Sequence, residues 1–320
     1  MPNYRKISDQ IEELTIDNPK TVPDLKWVNI VNAGKKEVDY LRRNYKFDLQ
    51  HLKAASASVS FQRPMIFHGN GYICLILHFP CQLNETITSS EIDFFIGHGF
   101  LISAHNNNLT TLSRFFNTGK KSPDSLLSYS LESSAVLLYE IIGNLIEDTH
   151  QLLDGISLKI NEIEELIFSG KQKEAVMEIL TLRRGIINIR RIIQNHKNIF
   201  QQLAVMESAV VDKESIKKYY NGLVDQSKRI WETLDNQKEI VEVLYNTNES
   251  LLNNQMTDIM KTLTIFSVIV FPLTLLAAIF GMNVDPMPLV RLPFGFWWII
   301  SLMLLGALGL LLIFKKKRWL

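Results

Sequence analysis

Neutral polar side chains recur every seven residues along the C-terminal part of this chain. Ser267 and Thr274 are seven residues apart, and counting back by sevens from Ser267 gives Met260, Asn253 and Asn246. Residues seven apart lie close together on one helical face, because 3.6 residues complete a turn. We call this face the polar stripe; its interleaved positions are Thr257, Thr264, Phe271 and Ala278.

In a bundle of such helices, the polar stripe would line a central pore with hydroxyl and amide oxygens. A second interpretation stays open, because Ser and Thr in apolar helices also bond their own backbone or let helices pack closely. Met260 and Phe271 are too bulky for a continuously wet lumen. They fit hydrophobic constrictions that close a pore by losing water.

The stripe enters the first of two long uncharged stretches. No Asp, Glu, Lys or Arg occurs in residues 262–284 or 292–314. About 20 apolar residues cross a bilayer core of roughly 30 Å. We therefore predict two membrane spans, over about 262–282 and 294–314, rather than two buried core helices. The short linker predicts a helical hairpin, because it contains prolines that stop a helix: Pro286, Pro288 and Pro293.

The basic residues predict the orientation of the spans. The chain ends with a block of four positive charges, whereas the charges of the linker, Asp285 and Arg291, cancel. Cytoplasmic flanks carry the excess of Lys and Arg. We therefore expect both termini in the cytoplasm and a location in the cell's inner membrane. The basic block consists of Lys315, Lys316, Lys317 and Arg318.

Composition excludes several classes of function. The 34 basic and 33 acidic residues give a formal net charge of +1, which argues against a nucleic-acid binder. Cys74 and Cys81 are expected to be free thiols, and residues 1–14 lack the apolar run of a secretory signal. We find no nucleophile–base set, phosphate loop or zinc-protease motif, so an enzyme is not expected, nor a cofactor.

Proline and glycine usage divides the remaining chain. Residues 1–125 are predicted to form a cytosolic α/β domain, with strand candidates around Trp27–Val31 and Tyr72–Phe79. Residues 126–261 form a predicted helical region, followed by the membrane hairpin and basic tail in 262–320. One helix over 213–280 would hold 68 residues and extend roughly 100 Å. Such a helix needs partners along its length, which suggests an oligomer.

Two shorter helices are predicted before this long one. Residues 126–168 and 174–205 both carry apolar residues close to helical spacing. Gly97-His98-Gly99 and Asn70-Gly71 are typical of tight turns between strands.

Several motifs together resemble the CorA family of divalent-cation channels, best known for magnesium. The first span ends in Gly281-Met282-Asn283, followed by Met287-Pro288 in the linker and the basic tail. The resemblance covers nearly the whole chain. It also includes Trp27, Gln62-Arg63-Pro64, the pairs Arg183-Arg184 and Arg190-Arg191, and the segment Glu162–Phe168.

The resemblance implies a funnel-shaped homopentamer in lipid, which carries divalent ions. Each subunit would give an α/β cytosolic domain and a long helix that continues into the pore-lining first span. Gly281, Met282 and Asn283 would form the external ion-binding mouth. Met260 and Leu263 would constrict the pore, and the basic tail would ring its cytosolic end.

The chemistry of magnesium suits this mouth. Mg²⁺ loses its water shell reluctantly. A ring of Asn283 amide oxygens would accept hydrogen bonds from that water and still release the ion, as conduction requires. Met282 is interpreted as packing, because a thioether is too soft a ligand for Mg²⁺.

The chain also departs from the family pattern. Leu289 follows Met287-Pro288 where the family often has Glu, so Asp285 is the nearest carboxylate of the mouth. Gly222 and Asn246 stand where acids of the cytosolic regulatory metal site are expected. This puts regulation by cytosolic magnesium and the choice of metal in question. Candidate substitutes are Glu214 and Asp225.

Two other functions are open. One is a zinc transporter of the same superfamily, for which His78 and Cys74, four apart on one strand, are candidate ligands. The other is a membrane-anchored coiled-coil scaffold that transports nothing.

Overall fold

The computed structural model describes residues 4–18, 22–54, 63–83, 86–121, 133–205, 213–282, 294–317 and 319. Its contacts divide the chain into two compact units, Met1–Leu244 and Tyr245–Leu320. The limits at 125 and 261 that the sequence suggests remain predictions.

The first unit is built on a seven-stranded sheet in the order β1-β2-β3-β7-β6-β5-β4. β3 and β7 are parallel, and every other neighbouring pair is antiparallel. The strands are β1 (Tyr4–Lys6), β2 (Ile11–Asn18), β3 (Val22–Val31), β4 (Met65–Gly69), β5 (Tyr72–Leu83), β6 (Thr86–Gly97) and β7 (Phe100–His105).

Both hairpins predicted from glycine turns are confirmed. β4 and β5 meet at Gly71, and β6 and β7 meet at Gly99, each with a φ of +78°. Only glycine adopts such a backbone conformation at no steric cost. The apolar run expected over Tyr72–Phe79 is the start of β5, and the strand at Trp27 is longer than predicted.

Helices cover both faces of the sheet. On one face, Val28 and Phe95 pack with Leu41 of α1 (Lys35–Tyr45) and Leu52 of α2 (Leu49–Ala54). Trp27, the neighbour of Val28 in β3, faces the other side and stacks edge-on against Phe116 of α3 (Thr110–Lys121) with ring centroids 4.9 Å apart. The predicted α/β fold of this part is thus confirmed.

Three more helices follow in the first unit: α4 (Ser134–Phe168), α5 (Gln172–Ile193) and α6 (His196–Val205). The Ser133 hydroxyl caps α4 by accepting a hydrogen bond from the Val136 N–H at 3.3 Å. The prediction of one helix over 174–205 is wrong. The helix is interrupted at Gln194 and Asn195, and buried His196 then bonds the carbonyl oxygen of His78 at 2.8 Å.

The long helix α7 spans Lys213–Phe280, as the sequence predicts, and α8 spans Gly295–Lys316. Each contains a stretch long and apolar enough to cross a membrane, with mean hydropathies of 2.5 and 2.4. Almost none of the residues of these stretches is buried within the chain. Buried core helices are excluded for them, because a core helix hides its apolar face.

Two buried histidines should make the first unit sensitive to acid. Nε2 of His105 lies 3.0 Å from Asn29 Oδ1, and its Nδ1 accepts the Asn107 N–H at 3.0 Å. A second ring proton would therefore face an N–H donor. Burial lowers the pKa of His105 to about 4, and burial likewise lowers the pKa of His196 to about 4.

The protein should lose stability as the pH falls from about 6.5, the pKa of unfolded histidine, towards 4. The unfolded chain binds protons in this window and the native chain does not, so each histidine costs up to about 1.4 kcal/mol per pH unit. Melting temperatures of the purified protein between pH 7.5 and 5 test this. The decline should be shallower in His105→Gln. An equally steep profile in that variant would contradict the assignment, whereas buried Asp93, whose pKa is raised by burial, acts on both profiles alike and in the opposite direction.

Candidate ion pathway

The polar stripe lies on a single element, α7. A straight α-helix drifts by about 20° for each heptad, so the positions from Asn246 to Thr274 wind slowly around its axis. The interleaved set of Thr257, Thr264, Phe271 and Ala278 lies beside them on the same side. The two sets together give a continuous band if helices of this kind supercoil to the left.

Every hydroxyl of this band bonds its own backbone. Ser267 donates to the Leu263 carbonyl at 2.8 Å and Thr274 to the Val270 carbonyl at 2.9 Å. Thr264 and Thr257 bond the carbonyls of Met260 and Asn253 in the same way. The interpretation that these hydroxyls satisfy their own helix is therefore confirmed.

These hydrogen bonds to the backbone are compatible with a pore, because they leave each hydroxyl oxygen able to accept further hydrogen bonds. A hydroxyl has one proton and two lone pairs. Once its proton is bound to a carbonyl, the remaining groups are acceptors. A row of such oxygens can accept hydrogen bonds from the water shell of a cation, and it carries no full charge that would hold the cation in place.

Large apolar side chains interrupt the band. Met260, Leu263 and Phe271 are 64%, 64% and 71% exposed in the chain. Asn246 and Asn253, nearer the N-terminal end of α7, are exposed as well. The pore assignment of all these residues remains a prediction, but the structure leaves each of them available to line one.

The C-terminal end of α7 leaves little room for a side chain at Gly281. The Gly281 N–H bonds the Ala277 carbonyl at 3.0 Å, and the Met282 N–H bonds Ile279 at 3.2 Å. A Cβ on Gly281 would lie 3.1 Å from the Ala277 carbonyl oxygen, so the backbone there would have to shift slightly to admit a side chain. The predicted mouth residues Asn283 and Asp285 lie outside the described part of the chain.

The far end of α8 holds the predicted basic ring. Lys315 and Lys316 complete the last turn, where positive charge favours the helix dipole. The Lys317 N–H bonds the Ile313 carbonyl at 3.0 Å, and Trp319 stacks on Phe314. Arg318 lies outside the described residues.

The assignment of a regulatory metal site to Glu214 and Asp225 remains a prediction. Gly222 and Asp225 lie on α7, and Asp225 is exposed. Glu214 lies in the first turn of α7, but its side chain is outside the description. In the residues that the structure describes, no group of three or more His, Cys, Asp or Glu side chains is placed to hold a metal.

The zinc candidates on β5 have other surroundings. His78 Nε2 lies 2.9 Å from Glu91 Oε2, so a carboxylate already engages this nitrogen. Cys74 is buried in the core beside Phe95. Burial, and to a lesser extent Asp93, raises the pKa of its thiol, which disfavours the thiolate that zinc requires.

A contact between α5 and α7 was not predicted. The Arg190 guanidinium lies 4.6 Å from the centre of the Trp231 ring and forms an ion pair with Asp235. We call Arg190, Trp231 and Asp235 the arginine clamp. The Trp–Asp spacing of four residues on α7 was its only signal in the sequence, and such spacing is common.

Comparison with known proteins gives the class. The family model of the CorA-like Mg²⁺ transporter protein matches residues 23–316. The chain therefore belongs to the CorA-like Mg²⁺ transporter family and is a divalent-cation transporter of that family.

Among its relatives, YfjQ of Bacillus subtilis is 26% identical over 298 residues, which are 93% of this chain and 91% of YfjQ. The cobalt/magnesium transport protein CorA of Methanocaldococcus jannaschii is 19% identical over 98% of this chain and 96% of its own. The complete structure of the magnesium transporter CorA from that organism has a TM-score of 0.84 and 19% identity, and it covers 99% of this chain and 100% of that chain.

The cytoplasmic domain of ZntB from Vibrio parahaemolyticus has a similar fold. Its TM-score is 0.61 at 17% identity, over 77% of this chain and 100% of that domain. At such identity the likeness concerns the fold alone.

Replacing Met260 by Ser should raise the basal ion flux several-fold, because a hydroxyl eases wetting of a dry constriction. Ile259→Ser is the matched control, since Ile259 is 69% exposed and Met260 64%, but Ile259 lies off the stripe. Flux into liposomes measures both. Equal or lower flux in a correctly assembled Met260→Ser protein would rule out a gate there.

Proposed function

We propose that the chain forms a homopentameric channel that admits Mg²⁺, and also Co²⁺ and Ni²⁺, into the cytoplasm. The polar stripe is the observation that supports this most directly. Its oxygens are acceptors, and the described parts of both candidate spans contain no charged side chain between Thr262 and Phe280 or between Phe294 and Phe314. A coupled transporter would be expected to carry a buried ionisable group.

Transport of a hydrated ion follows from the chemistry of this lining. Mg²⁺ prefers six oxygen ligands in near-ideal octahedral geometry and keeps several waters. Hydroxyl acceptors on a rigid helix cannot easily rearrange into such a cage. They can receive hydrogen bonds from the water shell, so the ion is guided and not trapped.

Self-association is proposed because one helix cannot enclose a pore. In the single chain, the stripe and the apolar sides of α7 and α8 are exposed. Copies of α7 arranged around an axis would bring the stripe to the centre and cover the apolar sides with α8 and lipid. The basic end of α8 would then lie on the cytoplasmic side, together with the first unit.

Ion flux into liposomes that contain the purified protein tests the proposal. Mg²⁺ and Zn²⁺ are compared at equal concentration with separate indicators. We expect Mg²⁺ to enter. Entry of Zn²⁺ alone would identify a zinc transporter, and the absence of all flux from an assembled protein would favour the scaffold.

Replacing Asn283 by Ala should abolish Mg²⁺ uptake and leave the oligomer intact, because the amide oxygen that holds the hydrated ion is lost. Met282→Leu is the matched control and should keep its uptake, since we assign Met282 to packing. Uptake in liposomes and size-exclusion chromatography measure the two effects. Normal uptake by the Ala variant would refute the assignment of the mouth.

Replacing Gly222 by Asp should strengthen protection of the cytosolic region by magnesium. A Cβ at Gly222 meets no atom within 4 Å, so a side chain fits there. The new carboxylate would lie three residues from Asp225, on the same side of α7. Affinity for hard cations rises with the charge of their ligands.

Limited proteolysis of the purified protein across a magnesium titration measures this protection. Gly222→Asn, which adds similar bulk without charge, is the control. If the unmodified protein is already protected at sub-millimolar magnesium, the missing acids do not weaken regulation.

A further inference from the structure

Two adjoining cavities lie where α4 and α5 pack against the β5–β6 hairpin. The first has a volume of about 420 Å³ and the second about 850 Å³. Ile87 and Asn188 line both, so the cavities meet at these residues. Cavities of several hundred Å³ are typical of small-molecule sites.

The first cavity, which we call the apolar cavity, has a floor of aliphatic side chains from two helices. Glycines make room above this floor. A Cβ on Gly155 of α4 would meet no atom within 4 Å, and one on Gly185 of α5 would meet only Ile87 Cδ1 at 3.3 Å. The floor consists of Leu152, Ile156, Ile163 and Leu182. A flat ring can lie on such a surface.

The second cavity, which we call the basic cavity, is lined by polar groups. Arg63 and Arg191 lie in its wall with the hydroxyls of Thr88 and Ser89. Guanidinium groups and hydroxyls are the side chains that commonly hold phosphate oxygens. His78, which also lines this cavity, lies beside the Glu91 carboxylate.

The charges favour an anion. Lys159 and Arg184 line the apolar cavity, whose lining holds a single carboxylate, Glu178. Neither of these cations forms an ion pair with any residue in the described part of the chain. The same holds for Arg63. Unpaired cations around a cavity attract negative ligands.

A hydrogen-bonded amide stands at the junction of the cavities. Asn188 Nδ2 donates to the Ile87 carbonyl at 3.3 Å, and its Oδ1 accepts from Arg191 at 3.4 Å. These contacts hold the Arg191 guanidinium close to the point where the apolar and basic cavities meet. A ligand that extends from one cavity to the other must pass this cation.

We propose that the joined cavities bind a nucleoside phosphate. Its base lies on the aliphatic floor of the apolar cavity, and its phosphates extend towards Arg63 and Arg191 in the basic cavity. Arg184 and Lys159 add positive charge at the rim. None of the residues that line this site belongs to the polar stripe, and the site does not depend on the proposed transport.

Calorimetric titration of the purified full-length protein with ATP tests the site. EDTA is present, so that removal of protein-bound magnesium by ATP gives no heat. Arg184→Gln and Arg191→Gln should each weaken ATP binding about tenfold, the effect of losing one charge-assisted hydrogen bond. Arg183→Gln is the matched control, because Arg183 is exposed on the same helix and lines neither cavity.

A second pair of variants tests the base. Gly155→Phe fills the apolar cavity and should weaken ATP binding about tenfold or more. Gly143→Phe, on the same helix and with equally open space at its Cβ, should leave binding unchanged. Thermal melts establish that each variant is folded.

Three results would overturn the proposal. One is the absence of ATP binding at millimolar concentration. A second is binding that neither arginine variant weakens. The third is equal affinity for ATP and pyrophosphate, because the base would then contribute nothing.

Discussion

The hydrocarbon core offers no water, so every polar group inside it must find a partner in the protein. This constraint governs the uncharged C-terminal part of α7, from Thr262 to Phe280. Except at Pro272, its backbone forms hydrogen bonds along the helix, and Thr264, Ser267 and Thr274 donate to carbonyls four residues earlier. Pro272 has no N–H, so one carbonyl of the helix lacks its usual donor. The oxygens that remain are acceptors only, and this property makes the stripe suitable for a hydrated cation.

The first unit depends on different interactions. Its sheet is covered on both faces by apolar side chains, and the buried polar groups form chains of partners. Trp27 Nε1 donates to the Ser103 hydroxyl at 3.1 Å, and that hydroxyl donates to Asn29 Oδ1 at 2.9 Å. His105 bonds the same Asn29 oxygen. Such a network fixes the parallel pairing of β3 with β7, because each partner would otherwise be buried without a hydrogen bond.

Local signals in the sequence predicted much of this fold. Glycine turns located both hairpins, and the apolar run of β5 and the ends of α7 agree with the structure. The break after Ile193 could not be predicted, because it accompanies a contact between His196 and the His78 carbonyl, 118 residues apart in the chain. The arginine clamp and the two cavities were missed for the same reason. Nothing in the sequence distinguishes Gly155 and Gly185 from other helical glycines, because only the packing of α4 and α5 places both of them at the apolar cavity. The stripe was found because its residues share one helix.

The positions of Arg190 and Arg191 connect these observations. They are successive residues of α5, so their side chains leave the helix about 100° apart. Arg190 stacks on Trp231 and pairs with Asp235 of α7, whereas Arg191 lines the basic cavity.

A ligand shifts a conformational equilibrium only as far as its affinity differs between the two states. Gly222 and Asn246 carry no carboxylate, so neither gives magnesium a charged contact through which to produce such a difference. α4 and α5 both line the apolar cavity, and both contact α7: Gln237 of α7 donates to the Leu153 carbonyl of α4 at 2.8 Å, and the arginine clamp joins α5 to α7. Coupling between a ligand there and the long helix therefore has two routes, through the arginine clamp or through the contact of Gln237 with α4.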